Sequence, residues 1–291
     1  MGQNNLLRIV VIITIILLSV YILVPSLPFF MRSYSYKCFQ SVVKAYLNYQ
    51  TREFNVLKSE NFIIKYTDLD KEIISFTADV IEDHYQSAKT QLSYYPEDEK
   101  ILVVIYPNQE ELNGSFGWEG DKSASGAYWA GSIRLLSPYG WDEDVKEERI
   151  IQETLIKVLP ISHELSHRLI DVWTQGNYTR WLTEGLAQHI EEKVVGFRLD
   201  EPFPKDKETL YSLKNLDRDF DRQENQLLAY WQSLQTVQFL IDKYGMDKMQ
   251  ELLSVLSKGI KTNYAIEQVY GLNINELESK TQEYIQRELL P

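Results

Sequence analysis

The first long hydrophobic run of the chain lies near its amino end. Ile9 to Met31 contains 23 residues without a charge, and Arg8 stands just before it. As a helix, this run would reach roughly 34 Å, which is enough to cross a hydrocarbon core of about 30 Å. The pattern therefore predicts a cytoplasmic tip and a transmembrane anchor over residues 1–31.

A cleaved signal peptide is the competing interpretation of this run. No small-x-small cleavage site follows it, and prolines and phenylalanines stand there instead. We therefore expect an uncleaved signal anchor. The positive charges on its two sides do not decide the orientation, but long carboxyl-terminal domains cross the membrane largely regardless of nearby charge. We expect that domain outside the cytoplasm.

Alternating and continuous apolar stretches downstream predict strands. Residues 32–57 are mixed polar and aromatic and indicate a juxtamembrane connector, partly helical from Phe39 to Tyr49. Phe62, Ile64 and Tyr66 then alternate, as in a half-buried strand. Further on, the pattern predicts a helix that begins at a cap, Asp68 or Asp70, and ends at about Leu92. A buried strand at 100–106 and a glycine-rich loop follow. The next predicted element is a hairpin formed by 127–130 and 133–136.

From Asp142 onward only helical patterns occur. A strand-rich half ahead of a helical half predicts an α+β fold for the domain 58–291, with a sheet-rich part 58–141 and a helical part 142–291. Pro160 suits the first turn of one helix, Gly176 its end, and Thr179 the cap of the next. The predicted helices cover about 143–158, 160–175, 179–195, 226–244, 246–258, 262–270 and 274–289.

The composition of the chain limits the classes of ligand that it is expected to bind. The chain has 291 residues and a net charge of −12, which argues against nucleic acid as a ligand and against the folded domain lying flat on anionic lipid. Cys38 is the single cysteine, so no intramolecular disulfide can form. The high content of Ile, Lys, Asn, Tyr and Glu is typical of a bacterial protein.

The strongest chemical signal is His163-Glu164-Leu165-Ser166-His167. Histidines at i and i+4 share one face of a helix, so both imidazoles can reach one metal ion. Glu164 would then lie beside the metal, where it could take a proton from a bound water. A surface helix that carries His and Glu by chance is the alternative, although the chain has only four histidines.

A catalytic zinc needs a third protein ligand. The segment Trp181-Leu182-Thr183-Glu184-Gly185-Leu186-Ala187 has a glutamate seventeen residues after His167. This segment resembles the second motif of the gluzincin metallopeptidases, the thermolysin-like clan of zincins. The resemblance implies that Glu184 is the third ligand of one zinc ion per chain. Other candidates remain open from the sequence: His189, Glu191 and His84.

The resemblance extends to two weaker features. Gluzincin aminopeptidases carry an oxyanion-stabilising tyrosine in a helix similar to the one that contains Tyr230, which implies that role here. An edge strand that holds the substrate is implied at Gly126–Ala130. The amine-gripping Gly-x-Met-Glu-Asn motif is absent, which favours an endopeptidase or a narrow processing enzyme. Asp171 and Gln188 are candidates for orienting the zinc ligands.

These observations predict a membrane-anchored, extracytoplasmic zinc peptidase. Its partners would be a peptide or protein substrate and the lipid bilayer, through residues 9–31. The alternative from another class is an inactive pseudopeptidase that serves as a membrane-tethered binding module. An intramembrane protease is disfavoured, because the hydrophobic run lies more than 130 residues before His163.

Overall fold

The computed structural model describes residues 28–96, 99–118, 124–141, 147–199 and 210–288. Most of the predicted membrane segment, residues 9–27, lies outside these ranges. Within them, no helix is both long and apolar enough to cross a bilayer. The first described helix, α1, runs from Phe29 to Gln50, so the connector is helical over a longer stretch than predicted.

A five-stranded sheet forms the first layer of the domain, in the order β1-β2-β3-β5-β4. The three central strands are parallel, and the outer strands β1 and β4 are antiparallel to their neighbours. Every residue of β3 is buried, as its continuous apolar sequence predicts. The strands are β1 Asn55–Lys58, β2 Phe62–Tyr66, β3 Ile101–Tyr106, β4 Gly126–Trp129 and β5 Ser132–Leu136.

Helices cover the sheet and form most of the rest of the described chain, which confirms the α+β class. A π-helical turn at Thr154–Val158 and short 3-10 turns at Asp68–Asp70, Pro138–Gly140 and Phe220–Arg222 complete the described elements. After α1, the helices are α2 Ile74–Leu92, α3 Gln109–Phe116, α4 Glu148–Glu153, α5 Ile161–Thr174, α6 Arg180–Val195, α7 Leu213–Arg218, α8 Gln226–Tyr244, α9 Met246–Leu256, α10 Thr262–Tyr270 and α11 Ile274–Glu288.

Three local predictions were wrong. The first part of the predicted glycine-rich loop is helix α3, capped by the Asn108 side chain, which accepts from the backbone N–H of Glu111. Asp70 does not cap α2; it accepts a hydrogen bond from the Ser137 hydroxyl at 2.6 Å. Thr179 precedes α6, but its hydroxyl forms no capping hydrogen bond.

Gly185 allows α6 and α8 to approach closely. A Cβ at this position would overlap the carbonyl oxygen of Ser233 and lie 2.7 Å from a methyl group of Val237. Only a residue without a side chain therefore fits between the two helices at this crossing. The contact places the residue after Glu184 directly against the helix that carries Tyr230.

Candidate metal centre and active site

A tight turn brings the two predicted motifs together. Helix α5 ends with Gln175 and Gly176 in the left-handed conformation, with φ of 55° and 78°. The chain then returns as α6, which packs against α5. This arrangement places the imidazoles of His163 and His167 beside the carboxylate of Glu184.

The three side chains form a compact triangle of donor atoms. The Nε2 atoms of His163 and His167 are 3.1 Å apart, and Oε2 of Glu184 lies 3.3 Å from the first and 3.5 Å from the second. Ligands of a tetrahedral zinc, bonded at about 2.0–2.1 Å, stand roughly 3.3 Å from one another. The donor set and its spacing fit a zinc ion. Among the described residues, this is the one group of three or more His, Cys, Asp or Glu side chains arranged to hold a metal.

The outer nitrogens of both imidazoles have protein partners. Nδ1 of His163 is 3.1 Å from Oε2 of Glu191, and Nδ1 of His167 is 2.7 Å from the hydroxyl of Thr183. An Nδ1–H that donates to these oxygens leaves each Nε2 lone pair directed at the centre of the triangle. Glu191 therefore contacts a candidate ligand and is not itself part of the triangle.

The two residues considered for this orienting role make other contacts. Asp171 accepts hydrogen bonds from Tyr36, Gln40 and Tyr128, so it joins α5 to α1 and to β4. The amide of Gln188 donates to the backbone carbonyl of Tyr230 at 2.9 Å and links α6 to α8. Both residues position helices around the site instead of orienting the imidazoles.

Glu164 is buried and turned toward the sheet. Its Oε2 accepts a hydrogen bond of 2.5 Å from the backbone N–H of Tyr128 in the edge strand β4. Its negative charge acts on His163, where it favours the protonated imidazole. The candidate base therefore lies between the metal triangle and the strand on which a substrate is expected.

Buried charges in the triangle stabilise one another. Burial by itself raises the pKa of Glu184, but the charges of His167 and Arg180 outweigh it and hold that pKa well below its usual range. Burial likewise lowers the pKa of His163, and hydrogen bonds to Glu184 and Glu191 outweigh it, so that pKa is well above normal. A Nη2 nitrogen of Arg180 lies 3.0 Å from Glu184.

Tyr230 is the fifth residue of α8 and is half-buried, with its ring 5.1 Å from that of Phe220 in an edge-to-face contact. Burial and then the negative charge of Glu184 raise the pKa of its phenol, while Arg180 opposes this. The phenol therefore stays protonated and can donate a hydrogen bond at neutral pH. Its backbone carbonyl accepts the hydrogen bond from Gln188, which lies one turn after Glu184, so α8 lies against α6 at this level.

The remaining two histidines lie outside the triangle. His189 is buried with Nδ1 3.0 Å from the side-chain oxygen of Gln238, and His84 is buried in α2. Burial lowers the pKa of both imidazoles, so each is neutral at pH 7. Sequence reasoning missed the roles of Thr183 and Arg180, which stand within or beside the second motif. It placed Tyr128 in the edge strand but missed the hydrogen bond from its N–H to Glu164.

Comparison with known proteins identifies the family of the chain. The family model of the Peptidase MA superfamily matches residues 97–287, which include both motifs and Tyr230. No curated protein matches the chain. Since the match covers more than half of the sequence, the chain belongs to the Peptidase MA superfamily and has a zincin-like peptidase fold.

Proposed function

We propose that this protein is a zinc-dependent peptidase, held in a membrane by residues 9–31, with its catalytic domain outside the cytoplasm. The observation that carries the proposal is the triangle of His163, His167 and Glu184, with donor atoms 3.1–3.5 Å apart and Glu164 beside it. Superfamily membership supports peptide hydrolysis as the reaction class.

Each side chain of the site has a separate role in hydrolysis. Zinc, when bound by the two histidines and Glu184, supplies a Lewis acid that lowers the pKa of water toward about 7. Glu164 accepts a proton from the attacking water and later gives it to the leaving amine. Tyr230 donates its phenolic hydrogen to the oxygen that becomes negatively charged as the carbonyl is attacked.

The edge strand offers a docking surface for an extended peptide. The N–H of Leu136 donates to the carbonyl of Ser125, and hydrogen-bonded pairs alternate along an antiparallel ladder. Gly126 and Tyr128 therefore turn their backbone groups away from β5. Glu164 accepts the hydrogen bond of the Tyr128 N–H there, so a substrate would pair with the groups that remain, such as the Tyr128 carbonyl. A substrate could add there as a further strand, with its scissile bond beside Glu164.

Binding of the substrate as an added strand favours cleavage of internal peptide bonds. Backbone pairing along β4 engages several residues of a chain and does not require a free terminus. Together with the missing Gly-x-Met-Glu-Asn motif, it supports an endopeptidase or a processing enzyme. The binding-module alternative needs the same cleft, but it has no use for a base at position 164.

The first prediction separates ligand from base. In the purified full-length protein, His163→Ala should lose stoichiometric zinc, because two donors leave the ion weakly held. Glu164→Gln should keep one zinc per chain and lose nearly all hydrolysis, since the amide cannot take a proton. Elemental analysis and a quenched peptide library measure both properties.

Glu192→Gln makes the same change in charge at a nearby surface position and should behave as wild type. Full zinc in His163→Ala would refute the ligand assignment. Equal turnover in Glu164→Gln would refute the hydrolytic mechanism, whereas bound zinc without hydrolysis in the wild type would favour the binding module.

The second prediction concerns Tyr230. Tyr230→Phe removes only the phenolic oxygen, so KM and zinc content should stay close to wild type. Its kcat should fall by roughly 10²–10³, the usual effect of losing one donor to the oxyanion. The exposed Tyr264→Phe serves as the control. Unchanged kcat in Tyr230→Phe would move this role to another donor, such as Arg180.

The third prediction concerns the residues behind the imidazoles. Glu191→Gln removes the charge that His163 contacts through Nδ1, and it should weaken zinc binding by about 10–100-fold with the fold intact. Thr183→Val should act similarly through His167. Competition with a fluorescent chelator measures the affinity. Wild-type affinity in both variants would mean that these contacts do not support the site.

The fourth prediction concerns location. Residues 9–31 should keep the full-length protein in the membrane fraction after an alkaline wash, with the domain outside. Protease added to intact cells or protoplasts should therefore digest the domain while cytoplasmic markers survive. A soluble product, trimmed at its amino end, as the major species would show that the segment is a cleaved signal peptide.

A further inference from the structure

Helix α1 exposes a face rich in apolar and aromatic side chains, which also carries Ser35, Ser41 and Asn48. At about 100° per residue, its exposed apolar and aromatic residues fall within one half of the helix circumference. We call this half the outer face. It contains Phe30, Met31, Tyr34, Phe39, Val42, Tyr46 and Tyr49, each at least 41% exposed.

The opposite face of α1 is fixed to the domain. The Ser33 hydroxyl donates to the side chain of Gln175 at 2.8 Å, and Tyr36 and Gln40 both donate to Asp171. Leu47 is fully buried near the end of the helix. Because these contacts set the rotation of α1, the outer face cannot turn inward to join the core.

The charge of α1 is opposite to that of the whole protein. Its 22 residues include Arg32, Lys37 and Lys44 and no acidic residue, although the chain carries a net charge of −12. Charges separated by more than about 8 Å are largely screened at physiological ionic strength, so local charge decides what this surface attracts. The overall charge is therefore a poor guide to this helix.

The three cations stand at the borders of the outer face. Lys37 and Lys44 also line a cavity of about 410 Å³ between α1 and α5, together with Ser41, Arg168 and two acidic residues, Glu99 and Asp171. Within the described part of the chain, neither lysine forms an ion pair. Among the described residues, no ion pair therefore competes with an anionic partner for either ammonium group.

We infer that the outer face lies on the surface of a bilayer that contains anionic phospholipids. Helices that lie at a membrane interface typically carry aromatic residues on one face, with lysines and arginines at its borders. The uncharged run Ile9–Met31 overlaps the first three residues of α1, which keeps this face near the bilayer. A second copy of the chain fits less well, because a symmetric contact would bring the same cations together.

This inference rests on the proposed membrane location and not on the peptidase activity. The experiment uses the full-length protein in vesicles and the native Cys38, which lies on the outer half of α1 and is exposed in the structure. An environment-sensitive fluorophore on Cys38 is quenched either by a lipid-borne nitroxide or by an aqueous quencher. The control places the label on α10, as Glu267→Cys in a Cys38→Ser background.

The Cys38 label should be quenched by the lipid-borne nitroxide in vesicles with 30% phosphatidylglycerol, and the label at position 267 only by the aqueous quencher. In the double variant Lys37→Gln/Lys44→Gln, the preference of the Cys38 label for the lipid surface of anionic over zwitterionic vesicles, measured by quenching, should fall by about tenfold or more. Tyr34→Glu/Val42→Glu should return the Cys38 label to water while the protein still sediments with the vesicles.

Aqueous quenching of both labels in sedimenting vesicles would overturn the inference and leave the anchor intact. Nanodiscs that hold either one or two chains distinguish the bilayer from a second copy of the protein as the partner of the outer face. Shielding of Cys38 with one chain per nanodisc supports the bilayer. Shielding only with two chains overturns the inference in favour of a second copy. Peptide hydrolysis, measured in the same samples, reports separately on the proposed function.

Discussion

The structure depends on one buried carboxylate. Glu184 is 1% exposed, and an ionised carboxylate is costly to bury unless charges and hydrogen bonds surround it. His163, His167 and Arg180 supply those partners, and the turn at Gln175 and Gly176 brings them within reach. Each later feature of the site, from the contacts behind the imidazoles to the position of Tyr230, follows from how α5 and α6 enclose this group.

The sequence predicted the parts of this arrangement that depend on local spacing. The i, i+4 histidines, the buried run of β3 and the boundaries of α8 to α11 all follow from helix or strand periodicity. Strand β1 was missed because Asn55–Lys58 is short and half-polar, and only its pairing with β2 makes it a strand. The cap expected at Thr179 failed because a suitable residue type does not ensure the required side-chain direction.

Contacts between residues on different helices and strands could not be predicted from the spacing of residues in the sequence. The hydrogen bond from the Tyr128 backbone to Glu164 joins residues 36 apart and depends on the register of the hairpin against β3. Glu191 shares a helix face with Glu184, which is visible in the sequence, but spacing alone could not show that it faces an imidazole. Asp171 was expected near the ligands, and its partners on α1 and β4 became visible only in three dimensions.

Gly185 ties the positions of two parts of the site together. Because a Cβ at this position would collide with the backbone of Ser233, the distance between α6 and α8 has almost no tolerance. Any substitution that moves one helix must move both Glu184 and Tyr230 relative to the sheet. A side chain at position 185 would therefore separate the carboxylate from the phenol, although it would belong to neither.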